Sequence, residues 1–162
     1  MDQSVMRPAG AAGTEKPKLF THVVRVGWGD CDPARIAYTA RIPAFALEAI
    51  DAWWEHHLGG GWYQMELDFG FGTPFVNMQL DFTGPITPRH RLVCTVAPTR
   101  LGTTSIGFAV TGRQDGQVCF RGRFTCVFTK PAAQGAALAK APPPEKVRAL
   151  ILPLLEPDGA AE

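Results

Sequence analysis

The chain has 162 residues, 46% of them hydrophobic, and a formal net charge of +1. That is enough apolar material for one globular domain with a sizeable core. The balanced charge supplies neither the basic field of a nucleic-acid binder nor an acidic tail, and no apolar run reaches the roughly 18 residues of a membrane span.

Residues 1–17 are Ala, Gly and Pro with scattered charges and lack the continuous apolar stretch of a signal peptide. They read as a loose tail on a cytoplasmic protein. From Phe20 to Trp28, β-branched and aromatic residues form a strand-like run. The next ten residues, Gly29 to Tyr38, place Asp30 and Asp32 in one short turn. Pro33 biases Asp32 towards an extended or turn conformation, so the strand ends there.

A helix over about 40–57 follows, because Ile42, Phe45, Ala46, Ala49, Ile50, Trp53 and Trp54 recur at spacings of three and four. Pro43 has no backbone donor and must belong to the first turn. Thr39 is then placed to cap the helix, leaving the amides of residues 39–42 without intrahelical partners at the positive end of the dipole. Asp32 lies seven residues before Thr39. A carboxylate beside such amides supplies a base or nucleophile together with donors for a carbonyl oxygen that becomes negative, two parts of an acyl-transfer site.

Gly59, Gly60 and Gly61 stop the helix, and His56 and His57 suit its C-terminal dipole. Residues 62–71 carry no clear period and read as a loop with at most one helical turn, a candidate lid. Strand character returns at 73–82, 91–98, 103–113 and 118–130, with a tight hairpin expected at Asp115-Gly116. One helix followed by four consecutive strands predicts an α+β domain in which a single antiparallel sheet wraps the long helix. The domain is expected to span 18–130. Residues 131–162 are read as a Pro- and Ala-rich linker carrying a short helix near 145–155.

Other reactive residues carry weaker signals. Cys31, Cys94, Cys119 and Cys126 have neither CxxC spacing nor a histidine pattern, so reduced thiols are expected rather than zinc or disulfides. Ser105 lies within a strand-like run, where a nucleophile elbow does not form. Glu48 is a rival carboxylate, but it falls about 130° from the centre of the apolar helical stripe and is expected to face solvent or a partner.

The run Gly-Asp-Cys-Asp-Pro-Ala at 29–34, followed by an apolar pair and Tyr38, resembles the signature of the 4-hydroxybenzoyl-CoA thioesterase family of hot-dog-fold acyl-CoA thioesterases. Gly72 to Val76 and the later strands extend the resemblance over roughly 19–130. It implies a hot-dog fold, Asp32 as nucleophile or general base, and the backbone donor of Thr39 at the oxyanion. It also implies a coenzyme A thioester as substrate and a homodimer or homotetramer with sites at subunit boundaries. Arg35 departs from the family's usual glycine; Arg takes a positive φ only at a cost, so a different loop path or different room above the site is expected.

Tyr38, Trp53 and Phe75 are suitable walls for an acyl group, and Thr73 either hydrogen-bonds that group or ends its loop. Arg100, near an expected turn, is the candidate cation for the coenzyme A phosphates. Activation by fixed dipoles requires no metal or cofactor. The resemblance makes an aromatic thioester such as 4-hydroxybenzoyl-CoA the leading substrate, with a short or branched aliphatic acyl-CoA second. A non-catalytic acyl-binding or scaffold protein is the alternative of another class. A hydratase is disfavoured because no histidine lies between His22 and His56.

Overall fold

The computed structural model describes residues 19–131 and 137–156; the expected tail at 1–17 lies outside them. Five strands form one antiparallel sheet: β1 (Phe20–Val24), β2 (Phe75–Phe82), β3 (Leu92–Leu101), β4 (Ser105–Gln114) and β5 (Gln117–Val127). Their spatial order is β1-β3-β4-β5-β2, so β1 and β2 are the edges. The long helix α1 (Ile42–Leu58) packs on β1, β3 and β4. This is the hot-dog architecture that the sequence resemblance implied.

The register explains which residues face the helix. Phe20 pairs with Val96, Val96 with Val110, and Cys94 with Gly112, while Phe108 pairs with Phe124. Alternation along each strand then places these residues on one face. Beneath them lie Phe45, Ala46, Ala49, Ile50, Trp53 and Trp54 of α1, all buried. Burying each large apolar side chain contributes about 1.5–3 kcal/mol, so this contact dominates the fold's stability. Trp53 and Trp54 meet Phe108 edge-on at 5.2 and 5.9 Å between ring centroids. Gly112 lies directly under the Phe120 ring, where a Cβ would stand 2.1 Å from the nearest ring atom.

The expected hairpin forms at Asp115 (φ 50) and Gly116 (φ 77), two left-handed residues that match the twist of the flanking strands. Residues 62–71 differ from the sequence reading, because Trp62–Leu67 is a helix, α2. Its first amide donates to Asp51 Oδ1 of α1 at 2.7 Å, a cap supplied from another element and therefore invisible to local pattern. Gly61 permits this approach, since a Cβ there would stand 2.5 Å from the same oxygen. Gly59 (φ 83) ends α1 in the left-handed conformation, as its position predicted.

The C-terminal segment is more than a linker. Lys130 N–H donates to Ala139 O and Ala141 N–H to Phe128 O, so residues 139–141 extend the sheet past β5. Helix α3 (Glu145–Ile151) follows, and its Val147 and Ile151 join the core. The amide of Glu156, the last described residue, donates to Pro98 O at 2.8 Å.

Candidate active site

The turn between β1 and α1 is closed by its own backbone. Asp32 N–H donates to Ile36 O at 3.0 Å and Arg35 N–H to Asp32 O at 2.9 Å, inside a bridge between Cys31 and Ala37. Tyr38 N–H donates to Asp30 O at 2.8 Å, tying the turn to the residue that precedes Thr39. Arg35 has φ 67. The expected change of loop path is therefore corrected: Arg35 occupies the left-handed conformation a glycine would take, because the surrounding backbone bonds over-determine it.

The two carboxylates have different surroundings. Asp30 accepts Gly27 N–H at 2.8 Å and Arg41 Nε at 2.9 Å, with Arg41 Nη2 at 2.7 Å from the same oxygen. The Gly27 amide lowers its pKa below the ordinary value; partial burial opposes this and Arg41 reinforces it. Asp30 thus clamps the turn to the helix start. Asp32 is half-buried, and its Oδ1 accepts Ala34 N–H at 2.8 Å, a local turn that fixes the carboxylate's base. Cys31 Sγ reaches Gly27 O at 3.6 Å, so the thiol is spent within the turn.

The helix start also departs from expectation. Thr39–Arg41 is a 3-10 turn ahead of α1, and no side chain caps either element. Arg41 N–H takes Tyr38 O and Ile42 N–H takes Thr39 O, so two of the four expected free amides are occupied. The tighter turn replaces the side-chain cap expected from Thr39. Among the described residues, the amides of Thr39 and Ala40 take no backbone acceptor. They are the two donors left at the positive end of the helix.

A second group of predicted residues lies elsewhere. Thr73 and Phe75 line an open groove of about 440 Å³ with Leu47, Trp62, Pro74 and Leu138. Trp62 and Phe75 meet edge-on with centroids 5.5 Å apart. Thr73 is 6% exposed, yet its Oγ1 and the Trp62 Nε1 are buried without a hydrogen-bond partner. Two orphaned polar groups in an apolar groove mark a place that a ligand can complete. Leu47 and Trp62 carried no sequence signal of their own. Leu47 lies beside the apolar stripe, and Trp62 fell in the patternless stretch.

The remaining candidates do not join either group within one chain. Trp53 is 1% exposed and packed on Phe108 and Trp54, and it does not line the Thr73 groove. Tyr38 is exposed. Arg100 lies near the end of β3, beyond a bulge at Pro98 and just before the turn expected after it, which Gly102 closes by donating to Ser105 O. Nine residues separate Arg100 from Arg91, which directly precedes β3 at the end near the Asp32 turn, or about 30 Å. Glu48 faces outward, pairing with His22 Nε2 at 2.9 Å. Burial raises the thiol pKa of Cys94 and Cys126 to about 12, which keeps both as inert core thiols. Among the described residues, no three His, Cys, Asp or Glu side chains assemble into a metal-binding group. No described helix is long and apolar enough to cross a membrane.

The fold has relatives among solved structures. A thioesterase superfamily structure from Jannaschia sp. CCS1 shares 54% identity over 94% of this chain and 99% of its own, with a TM-score of 0.80. A 1,4-dihydroxy-2-naphthoyl-CoA thioesterase from Synechocystis superposes with a TM-score of 0.72 at 20% identity, covering 83% of this chain and 96% of its own. A gentisyl-coenzyme A thioesterase, BH1999, superposes with a TM-score of 0.69 at 22% identity, covering 80% and 99%. At such identity these two speak for the fold alone. No curated protein matches the chain. The family model described as thioesterase-like superfamily matches residues 26–151, most of the described chain, and the protein belongs to that superfamily of thioester hydrolases.

Proposed function

We propose that the protein hydrolyses acyl-coenzyme A thioesters, with Asp32 as nucleophile or general base and the Thr39 amide as oxyanion donor. The observation that carries this reading is the 2.8 Å bond from Tyr38 N–H to Asp30 O, which binds the acidic turn to the helix start where the amides of Thr39 and Ala40 are free. A tetrahedral intermediate places negative charge on the former carbonyl oxygen. Fixed amide dipoles there act on the transition state more than on the ground state. Asp32 either forms an acyl-enzyme anhydride that water cleaves or takes a proton from attacking water, and coenzyme A thiolate leaves in both cases.

The acyl group is assigned to the groove of Thr73, Phe75, Trp62 and Leu47. About eight residues of helical rise, some 12 Å, separate Thr39 from Leu47 along one chain. A second copy that brings its own turn to this groove completes the site, consistent with a homodimer or a homotetramer. Strand β2 offers the surface for it: its ladder is open on one side, and Met78 and Phe82, which pair with Phe124 and Phe120, are exposed. Arg100 serves the substrate only across such a boundary.

Trp62 and Phe75 favour an aromatic acyl group, as in 4-hydroxybenzoyl-CoA, whose ring oxygen would meet Thr73 Oγ1 or Trp62 Nε1. Leu47, Pro74 and Leu138 favour a short or branched aliphatic chain as the second reading. Free-thiol release from a panel of both classes of coenzyme A thioester, by wild type and Asp32→Asn, tests the proposal. Turnover reduced at least about a hundredfold in a folded Asp32→Asn is expected. Inactivity of folded wild type on the whole panel removes the thioesterase reading, and unchanged turnover in the variant removes Asp32.

A further inference from the structure

The end of the sheet nearest the Asp32 turn carries a charged surface that the acyl groove and the acidic turn do not use. Arg25 directly follows β1 and Arg91 directly precedes β3, in strands whose last ladder pair is Val24 with Leu92. The two arginines thus leave adjacent strands opposite one another, a like-charge arrangement that destabilises an antiparallel pair. Arg89 and His90 lie beside them, and the residues line an open groove of about 310 Å³ with Trp28. None of the three guanidinium groups has an ion pair among the described residues. Trp28 is 72% exposed on its 3-10 turn.

The groove is a fixed feature. Gln114, a buried residue, donates Nε2 to Thr87 O at 2.8 Å and to His90 O at 2.9 Å, and its Oε1 accepts Thr87 N–H at 2.9 Å. The loop holding Arg89 and Arg91 is therefore pinned from below. Ala37 N–H donates to Ile86 O at 2.7 Å, fastening the same loop to the acidic turn. Trp28 precedes Asp32 by four residues, so the two lie at most about 14 Å apart.

We infer that this groove binds the nucleotide end of the coenzyme A thioester, with Trp28 stacking on the adenine and Arg25, Arg89 and Arg91 holding the phosphates. Each unfavourable feature is then resolved by one ligand. Unpaired guanidinium groups find phosphate oxygens that they can grip in bidentate fashion. An exposed indole finds a flat π-face on which to stack. A nucleic acid strand shares this chemistry, but the chain's net charge of +1 and the single aromatic platform suit one nucleotide rather than a strand. The inference rests on the reading of the protein as acting on coenzyme A thioesters.

Isothermal titration of the full-length protein with coenzyme A, adenosine 3′,5′-bisphosphate, pantetheine and a single-stranded oligonucleotide tests it. Wild type is compared with Trp28→Leu and with Arg89→Ala/Arg91→Ala; all three positions are exposed. The expected result is affinity for coenzyme A and the bisphosphate that falls about tenfold or more in each variant and weakens with added salt. In turnover, the preference for coenzyme A over pantetheine thioesters falls by a similar factor. Unaltered binding and preference in both variants overturn the assignment, even if hydrolysis stands. Tighter binding of the oligonucleotide than of coenzyme A, lost in the variants, overturns it in favour of nucleic acid. If wild type hydrolyses no thioester, the bisphosphate titration still decides the groove on its own.

Discussion

Replacing Asp30 with Asn separates the clamp from the chemistry. Asp30 holds Gly27 N–H at 2.8 Å and Arg41 through Nε at 2.9 Å and Nη2 at 2.7 Å. Hydrogen bonds to a charged group contribute about 1.5–3 kcal/mol when enclosed. The Arg41 side chain is half exposed, which brings its share towards the surface value of under about 1 kcal/mol. An asparagine oxygen still accepts from Gly27, so the expected loss is about 1–2 kcal/mol, or roughly 3–6 °C in Tm for a chain of this length. Because folding lowers the Asp30 pKa, its contribution is complete above the unfolded value and is lost as pH falls through the folded one. The Tm gap between wild type and Asp30→Asn should therefore be full at neutral pH and close below the ordinary carboxylate range. Thermal unfolding across pH measures this directly, and kcat should fall about tenfold because the turn loosens around Asp32. Equal Tm values at neutral pH, or a gap that does not change with pH, would refute the clamp.

Four further outcomes are expected. Arg35→Gly relieves a left-handed arginine and should raise stability by about 0.5–1 kcal/mol, read as a Tm about 2 °C higher. Gly112→Ala drives a Cβ into the buried Phe120 ring and should cost about 1–3 kcal/mol in urea denaturation. Thr73→Val removes an orphaned buried hydroxyl, so stability should hold or rise by up to about 1 kcal/mol while KM for the thioester increases; a large loss of stability would mean that the hydroxyl is structural. Met78→Lys places charge on the open face of β2 and should shift sedimentation towards monomer, whereas an unchanged oligomer would place the interface elsewhere.

The apolar period from Ile42 to Trp54 was legible because a helix buried on one face repeats its contacts every three or four residues, and α1 follows it closely. The Asp115-Gly116 turn was legible because only a few residue types accept two consecutive positive φ values. Helix α2 was not, since its first amide is capped by Asp51 from another element. Trp53 belongs to the core face that the stripe identifies, but a stripe does not say which cavity a member borders; Trp53 lines a small one with Phe20 and His57 rather than the Thr73 groove. The turn after Arg100 was legible from Gly102, whose amide closes it on Ser105 O, while the bulge at Pro98 that carries β3 on to Leu101 was not.

By itself the sequence determined the α+β class, the order of the strands along the chain and the acidic turn before the long helix, all of which depend on neighbours within about ten residues. Only the tertiary structure decided which amides stay free at the helix start, that Arg41 is the partner of Asp30, and that Thr73 shares a groove with Trp62 while Arg25 lies opposite Arg91 across two strands. Arg25 and Arg91 stand 66 positions apart in the chain and face each other only once the sheet register has set which residues lie opposite one another, and the other contacts need the turns and helices to be folded first.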